Sequence, residues 1–175
     1  MKVLFLCLLF GLTSCTNAQN SNSSVLDNQQ SVIQATNKEP LDVSFCELIK
    51  SPEKFEQKLV RVKAVYRYGF EWSEFYSLDC PSKKRVWVEG ERTKCANAGR
   101  VDEMDFAGMG GRTVGVVVIG RFTGEKERYG YMNTFDYLFN IECFERAEML
   151  DREGFVPEAL KPEQRRKVEA FEKSN

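Results

Sequence analysis

Residues 59–68 alternate between two kinds of side chain, and this alternation limits the fold of the chain more than any other feature of the sequence. The apolar positions are Val60, Val62, Ala64, Tyr66 and Tyr68, and the charged positions between them are Arg61, Lys63 and Arg67. A period of two residues places the two sets on opposite faces of a β-strand. The segment is therefore predicted to be a strand with one buried face and one solvated face.

Four later segments have the composition of strands, so the chain is predicted to be mainly β. They span residues 75–78, 85–89, 113–122 and 137–145. The inward faces of the last two are predicted to hold Val114, Val116, Val118, Phe122, Phe139, Ile141 and Cys143. Gly115 and Gly120 interrupt the strand at 113–122, which indicates a bulge or a tight bend there.

Short helices are predicted on either side of the strands. Ser44 and Glu47 have the spacing of an N-terminal capping box, and the residues around them place Phe45, Leu48 and Ile49 on one helical face. The charged C-terminal tail, residues 151–175, carries a candidate helix at 162–173. The predicted fold class is mainly β, with five antiparallel strands, an N-terminal helix and a short C-terminal helix.

A short helix followed by five strands, with the longest gap between the third and the fourth, matches the arrangement of an OB-fold. The pattern Pro52-x-x-Phe55-x-x-Lys58-x-Val60-x-Val62-x-x-Val65, with Gly120-Arg121-Phe122 later, resembles small OB-like domains of bacterial lipoproteins and exported proteins. The resemblance covers residues 45–146 and implies a five-stranded antiparallel OB-like barrel. The chain departs from it at Glu56-Gln57, where such domains often have an Asp-Gly turn, and in the glycine-rich segment 91–112.

The N-terminus has the pattern of a secretory signal, in which Lys2 precedes an apolar run at residues 3–12. Leu12-Thr13-Ser14-Cys15 resembles the lipobox of bacterial lipoproteins. That resemblance implies a diacylglycerol on the Cys15 sulfur, an acyl chain such as palmitate on its amine, and a place in the cell envelope. Thr16 is not the aspartate that retains enteric lipoproteins at the inner membrane, so a Gram-negative source implies the periplasmic face of the outer membrane.

Two other interpretations of this N-terminus stay open. The apolar run could be a core or anchor helix, although it is too short to span about 30 Å of hydrocarbon. Ordinary signal cleavage could also follow Ala18. The lipobox interpretation divides the chain into a signal peptide at 1–14, a lipidated cysteine with a disordered Asn-, Gln- and Ser-rich tether at 15–40, an OB-like domain at 41–150, and the tail.

The charge and composition exclude several classes of function. The chain has a net charge of −1, whereas a nucleic-acid-binding domain is expected to be clearly basic. It contains no histidine, the commonest general base and metal ligand. We therefore predict no metal site, no cofactor and no nucleic-acid partner.

Four cysteines follow the tether, an even number that predicts two disulfides in an oxidising compartment. They are Cys46, Cys80, Cys95 and Cys143, and they allow three pairings. We favour Cys80–Cys95, which closes a local loop, and Cys46–Cys143, which ties the start of the domain to its last strand. A zinc site is disfavoured because no Cys-x-x-Cys pair is present.

Aromatic residues cluster in the first hairpin and before the last strand, near the loops with which OB-like barrels bind oligomers. The candidate ligand-binding residues are Arg67, Tyr68, Trp72, Tyr76 and Tyr131. Aromatic rings stack on sugars, and basic groups bind anionic substituents. The competing interpretation is that most of these rings pack in the core.

The sequence shows no catalytic constellation, so no catalytic residue is predicted. The candidate carboxylates for acid–base chemistry are Glu71, Glu74, Asp79, Glu89, Glu142 and Glu145. The acidic run at 102–105 lacks the ligand pattern of a calcium loop, and Gly108–Arg112 precedes a strand and not a phosphate-binding helix.

These observations favour a lipid-anchored envelope protein that acts as a non-enzymatic binding or structural module. The expected partners are the membrane, through the N-terminal lipid, and an envelope glycan, peptide or protein. The alternative is an envelope hydrolase with two carboxylates about 5–9.5 Å apart in one cleft.

Overall fold

The described part of the chain forms six strands and two α-helices in this computed structural model. The strands are β1 (Leu41–Ser44), β2 (Leu59–Tyr68), β3 (Ser73–Tyr76), β4 (Val86–Gly90), β5 (Arg112–Thr123) and β6 (Tyr137–Asp151). The helices are α1 (Phe45–Lys50) and α2 (Pro162–Lys173), and short 3-10 turns occupy Pro52–Lys54, Tyr131–Asn133 and Pro157–Ala159. Neither α-helix is long and apolar enough to cross a bilayer.

The structure describes residues 39–80, 82–90, 93–99, 111–124, 127–152, 154 and 157–174. The predicted signal peptide, the lipobox with Cys15, and the tether up to residue 38 lie outside these ranges. The acidic run at 102–105 and the glycines at 108 and 110 lie outside them as well.

The strands form one mixed sheet in the order β1-β2-β3-β4-β6-β5, and β2 also pairs with β5. Hydrogen bonding therefore runs in a ring through five of the strands, with β1 added at the side. β1 is parallel to β2 and β4 is parallel to β6, while the other pairs are antiparallel.

The prediction of a mainly β chain with two short helices is confirmed. The prediction of five antiparallel strands is wrong, because the described residues form six strands and two of the strand pairs are parallel. Residues 41–44 form an additional strand because they pair along 60–63 of β2. β4 and β6 run in the same direction because the intervening β5 reverses the chain once more before β6 takes its place beside β4.

The core is filled by the alternating apolar faces, as the periodicity predicts. The buried residues of β2 are Val60, Val62, Ala64, Tyr66 and Tyr68, and the same core cluster contains Val114, Val116, Val118 and Phe122 of β5 and Phe139 and Ile141 of β6. One predicted inward position is wrong: Cys143 is only partly buried, and Phe144 fills the core. The register shifts between Ile119 and Gly120, so the alternation changes phase beyond Ile141.

The two helices dock on different parts of the sheet. The Ser44 side chain caps α1 by accepting a hydrogen bond from the Glu47 N–H at 3.1 Å, as the capping-box spacing predicts. α2 buries Val168 and Phe171 in a second apolar cluster with Val65 on the outer side of β2. The C-terminal helix therefore covers one patch of the outer sheet surface and forms a wall of the site described next.

Candidate functional site

A cleft of about 970 Å³ lies where the outer faces of β2 and β3 meet α2, the first residue of α1, and residues 77, 78, 80 and 82–85. Its lining residues are Phe45, Arg67, Glu74, Phe75, Tyr76, Ser77, Leu78, Cys80, Ser82, Lys83, Lys84, Arg85, Glu158 and Arg165. This volume is within the range of about 300–1,000 Å³ that small-molecule sites occupy. The cleft is therefore large enough for a peptide fragment or one to two sugar units.

The floor of the cleft is an ion cluster centred on Glu74. Arg67 and Glu74 face each other across β2 and β3, and they are only 8% and 5% exposed. The Arg67 guanidinium donates to Glu74 Oε1, and Arg85 donates to Oε2 from Nε at 3.0 Å and from Nη2 at 2.8 Å. Both carboxylate oxygens of Glu74 are thus already bound by arginines, and the cluster as a whole carries one net positive charge.

Aromatic side chains hold the two arginines in place. The Arg85 guanidinium lies 4.1 Å from the centroid of the Phe135 ring, and Phe135 in turn packs against Trp87 with 4.8 Å between ring centroids. The Arg67 guanidinium lies 5.5 Å from the Trp72 ring. Cation–π contacts of this kind stabilise a guanidinium without neutralising its charge.

Tyr76 presents a phenol at the inner wall of the cleft. Burial raises the pKa of Tyr76 far above its ordinary value of 10.0, and Glu172 and Glu74 raise it further although Arg67 lowers it. The phenol therefore stays protonated at every physiological pH and can donate a hydrogen bond.

The rim of the cleft is basic. Of the lining residues five are cationic, Arg67, Lys83, Lys84, Arg85 and Arg165, and two are acidic, Glu74 and Glu158. Lys83 and Arg165 are exposed and have no ion-pair partner among the residues that the structure describes. Both carboxylate oxygens of Glu74 accept hydrogen bonds from Arg67 and Arg85. The positive charges of Lys83 and Arg165 are therefore available to an anionic ligand.

The predicted ligand-binding residues are distributed unequally around this cleft. Arg67 and Tyr76 line it, and Trp72 lies beneath Arg67 in the loop between β2 and β3. Tyr68 is 4% exposed and packs inside the sheet against Tyr66. Tyr131 is 51% exposed in the loop before β6 and does not line the cleft.

The cations that line the cleft, other than Arg67, were not predicted from the sequence, although three of them share a sequence signal. Lys83-Lys84-Arg85 is a basic run just before β4. Arg165 had no such signal, because its place at the cleft depends on where α2 docks.

The predicted disulfide pairs are wrong. Cys95 bonds to Cys143, because residues 93–99 run beside β6 and the Cys95 N–H donates to the Phe144 carbonyl at 2.9 Å. Cys46 and Cys80 are free thiols, and Cys46 packs against the apolar cluster that contains Cys80.

The candidate carboxylates do not converge. Glu71, Asp79 and Glu89 are exposed, Glu142 pairs with Arg121 at 2.9 Å, and Glu145 pairs with Arg61 at 2.8 Å. Glu74 is the one member of this set that lines the cleft, where it is bound by two arginines. Among the described residues no group of three His, Cys, Asp or Glu side chains could hold a metal ion.

Comparison of the chain with models of protein families, with curated proteins and with solved structures finds no match. The functional argument therefore rests on the geometry and charge of the cleft.

Proposed function

We propose that this chain is a lipid-anchored cell-envelope protein whose β domain binds a carboxylate-bearing envelope glycan or peptide without catalysing a reaction. The observation that carries the proposal is the basic rim of the cleft. Lys83 and Arg165 stand at the entrance without ion-pair partners among the described residues, above a floor whose only acid is bound by arginines.

The lining supports a ligand that has both anionic and apolar parts. Phe45 and Tyr76 offer ring surface, while the ammonium and guanidinium groups at the rim suit carboxylates, which arginine binds with two parallel hydrogen bonds. Muropeptides combine sugar rings, short side chains and free carboxylates, so they have the chemistry that this lining suits.

The ring of strands β2-β3-β4-β6-β5 supports an OB-like interpretation of the fold. In OB-like barrels the second and third strands provide the binding face, flanked by the loops after the first and fourth strands. By this comparison β3 and β4 are the second and third strands, and Glu74 and Tyr76 of β3 line the cleft.

Binding is tested by isothermal titration of the protein with a lysozyme digest of peptidoglycan and with the same digest after amidation of its carboxylates. We expect saturable binding to the first, weakened by salt because exposed charges are screened, and little binding to the second. Absence of binding, or equal binding to both digests, would overturn the proposal.

Two neighbouring arginines of α2 provide a matched pair of variants. Arg165 lines the cleft, whereas Arg166 is exposed and lies outside it. Loss of one charge-assisted contact is worth about 1.4 kcal/mol, so Arg165→Ala should weaken binding roughly tenfold, and Arg166→Ala should leave it unchanged.

The anchor is tested separately by fractionation. Cys15→Ala removes the sulfur that the lipobox interpretation requires, so the variant should leave the membrane fraction and lose incorporation of labelled palmitate. Retention of the variant in the membrane fraction would contradict the anchor and leave the binding test unaffected.

A further inference from the structure

Cys46 and Cys80 are brought together from segments 34 positions apart in the chain. Cys46 is the second residue of α1, and Cys80 follows β3 in the segment that lines the cleft. Burial and the nearby Cys80 thiol both raise the pKa of Cys46, so the two thiols are near neighbours. Cys80 is 7% exposed within the main apolar cluster, and the partly buried Cys46 packs against that cluster.

The backbone on both sides of the pair is anchored, so the contact is built into the fold. Ser44 caps the start of α1, two residues before Cys46. The Leu78 N–H donates to Glu172 Oε1 at 2.8 Å, two residues before Cys80. Two such anchors fix the backbone next to each thiol, so the neighbouring positions of Cys46 and Cys80 are a property of the folded chain.

We propose that Cys46 and Cys80 form a second disulfide that ties α1 to the wall of the cleft. Both S–H bonds break and one S–S bond forms, and the two electrons and two protons reduce one molecule of a low-molecular-weight disulfide, such as oxidised glutathione, to two thiols. Conditions that close Cys95–Cys143 supply the same oxidant to this pair.

The surroundings of the pair favour closure during folding. In the folded, reduced chain, burial together with the neighbouring Cys80 raises the pKa of Cys46 from 9.0 to about 12. Because the thiolate is the reacting species, such a thiol attacks a disulfide slowly once it is packed. Exchange is faster while α1 is still undocked, and after docking the bond is protected by the burial of Cys80.

The test is peptide mapping of the full chain, refolded in a glutathione redox buffer, denatured with N-ethylmaleimide present and digested with trypsin without reduction. Trypsin releases Cys46 in peptide 39–50, Cys80 in 68–83, Cys95 in 95–100 and Cys143 in 129–146. We expect 39–50 linked to 68–83, and 95–100 linked to 129–146. Maleimide on both Cys46 and Cys80 while the other pair is linked, or a link from 39–50 to any other peptide, would overturn the proposal.

The Tm of serine variants gives a second test, which can be measured without a ligand. Cys46→Ser and Cys80→Ser should each lower the Tm by roughly 10 °C under oxidising conditions, and the double variant should lower it no further than either single variant. With dithiothreitol present, the gap between the wild type and the variants should close. Additive losses in the double variant, or a gap that dithiothreitol leaves unchanged, would contradict a shared bond.

Discussion

Phe171 of α2 packs directly on Gly115 of β5, so closely that a Cβ atom built on Gly115 would lie 2.5 Å from the ring atom Cδ2. The absence of a side chain at Gly115 therefore allows the C-terminal helix to pack closely against β5. The ring also has Lys63 of β2 above it, with the Nζ atom 4.8 Å from the ring centroid. Since α2 carries Arg165 to the cleft, this contact between glycine and phenylalanine sets one wall of the candidate site.

Gly115→Ala should destabilise the protein because the added methyl group and the Phe171 ring cannot occupy the same space. Overpacking of this kind costs about 1–3 kcal/mol in the free energy of unfolding, measured by urea denaturation. Gly99→Ala is the matched control, since a Cβ there would lie 3.7 Å from the Glu145 carbonyl oxygen, an ordinary contact. Equal effects of the two substitutions would contradict close packing of α2 on β5.

The inward faces of β2 and β5 could be predicted from the sequence because their alternation is uninterrupted where they pair. Val62 and Val118 are direct partners across these strands and both are fully buried. A bulge near Gly120 was also predicted, and the register does shift between Ile119 and Gly120. A Cβ atom at Gly120 would lie 2.4 Å from the Asn140 carbonyl oxygen. Glycine is required at such a close approach of two strands.

The consequences of that bulge could not be predicted, because a change of register depends on both strands. Alternation alone places Cys143 inward, whereas the shift places Phe144 there and leaves Cys143 free to bond Cys95. The strand at 41–44 was missed for a related reason. Four residues carry too little periodicity, and their partner is a strand distant in the chain.

The candidate site was only partly predictable. Arg67 and Tyr76 were singled out because they lie among aromatic residues in the first hairpin, and both line the cleft. The alternation at 59–68 suggests that Arg67 faces solvent, but Arg67 is only 8% exposed, in a cleft that is also lined by α2 and by residues 77, 78, 80 and 82–85. Long-range docking of this kind leaves no local pattern, and the neighbouring positions of Cys46 and Cys80 could not be predicted for the same reason.

The ion cluster at the floor of the cleft predicts that replacing Glu74 lowers the free energy of unfolding much more than replacing Glu142. Glu74→Ala removes the carboxylate that Arg67 and Arg85 both bind, and breaking a buried pair costs about 3–5 kcal/mol because a charge stays buried. Glu142→Ala removes a partner of Arg121 in a pair whose side chains are 46% and 48% exposed, so the loss should be at most about 1 kcal/mol. Urea denaturation of both variants at pH 7 checks the contrast, and similar losses would show that Glu74 is solvated.

Glu172 predicts how stability depends on pH. Burial raises its pKa above the ordinary 4.5, with Asp79 acting in the same direction, while hydrogen bonds from Ser77 and Leu78 and the charge of Lys63 lower it. The folded state therefore holds this proton more tightly than the unfolded state. By linkage, the contribution of Glu172 to the free energy of unfolding falls as the pH rises from 4.5 through the folded-state pKa.

Glu172→Gln removes this titration and keeps an oxygen that can accept from the Leu78 N–H. Its urea midpoint should equal that of the wild type at pH 4 and exceed it at pH 7, because only the wild type has a charge to desolvate at the higher pH. Glu169→Gln, three residues earlier on α2, is the matched control for the removal of a carboxylate from the same helix. A Glu172→Gln midpoint that falls below the wild type as the pH rises would mean that hydrogen bonds and Lys63 outweigh burial, and that the carboxylate stabilises the docking of α2.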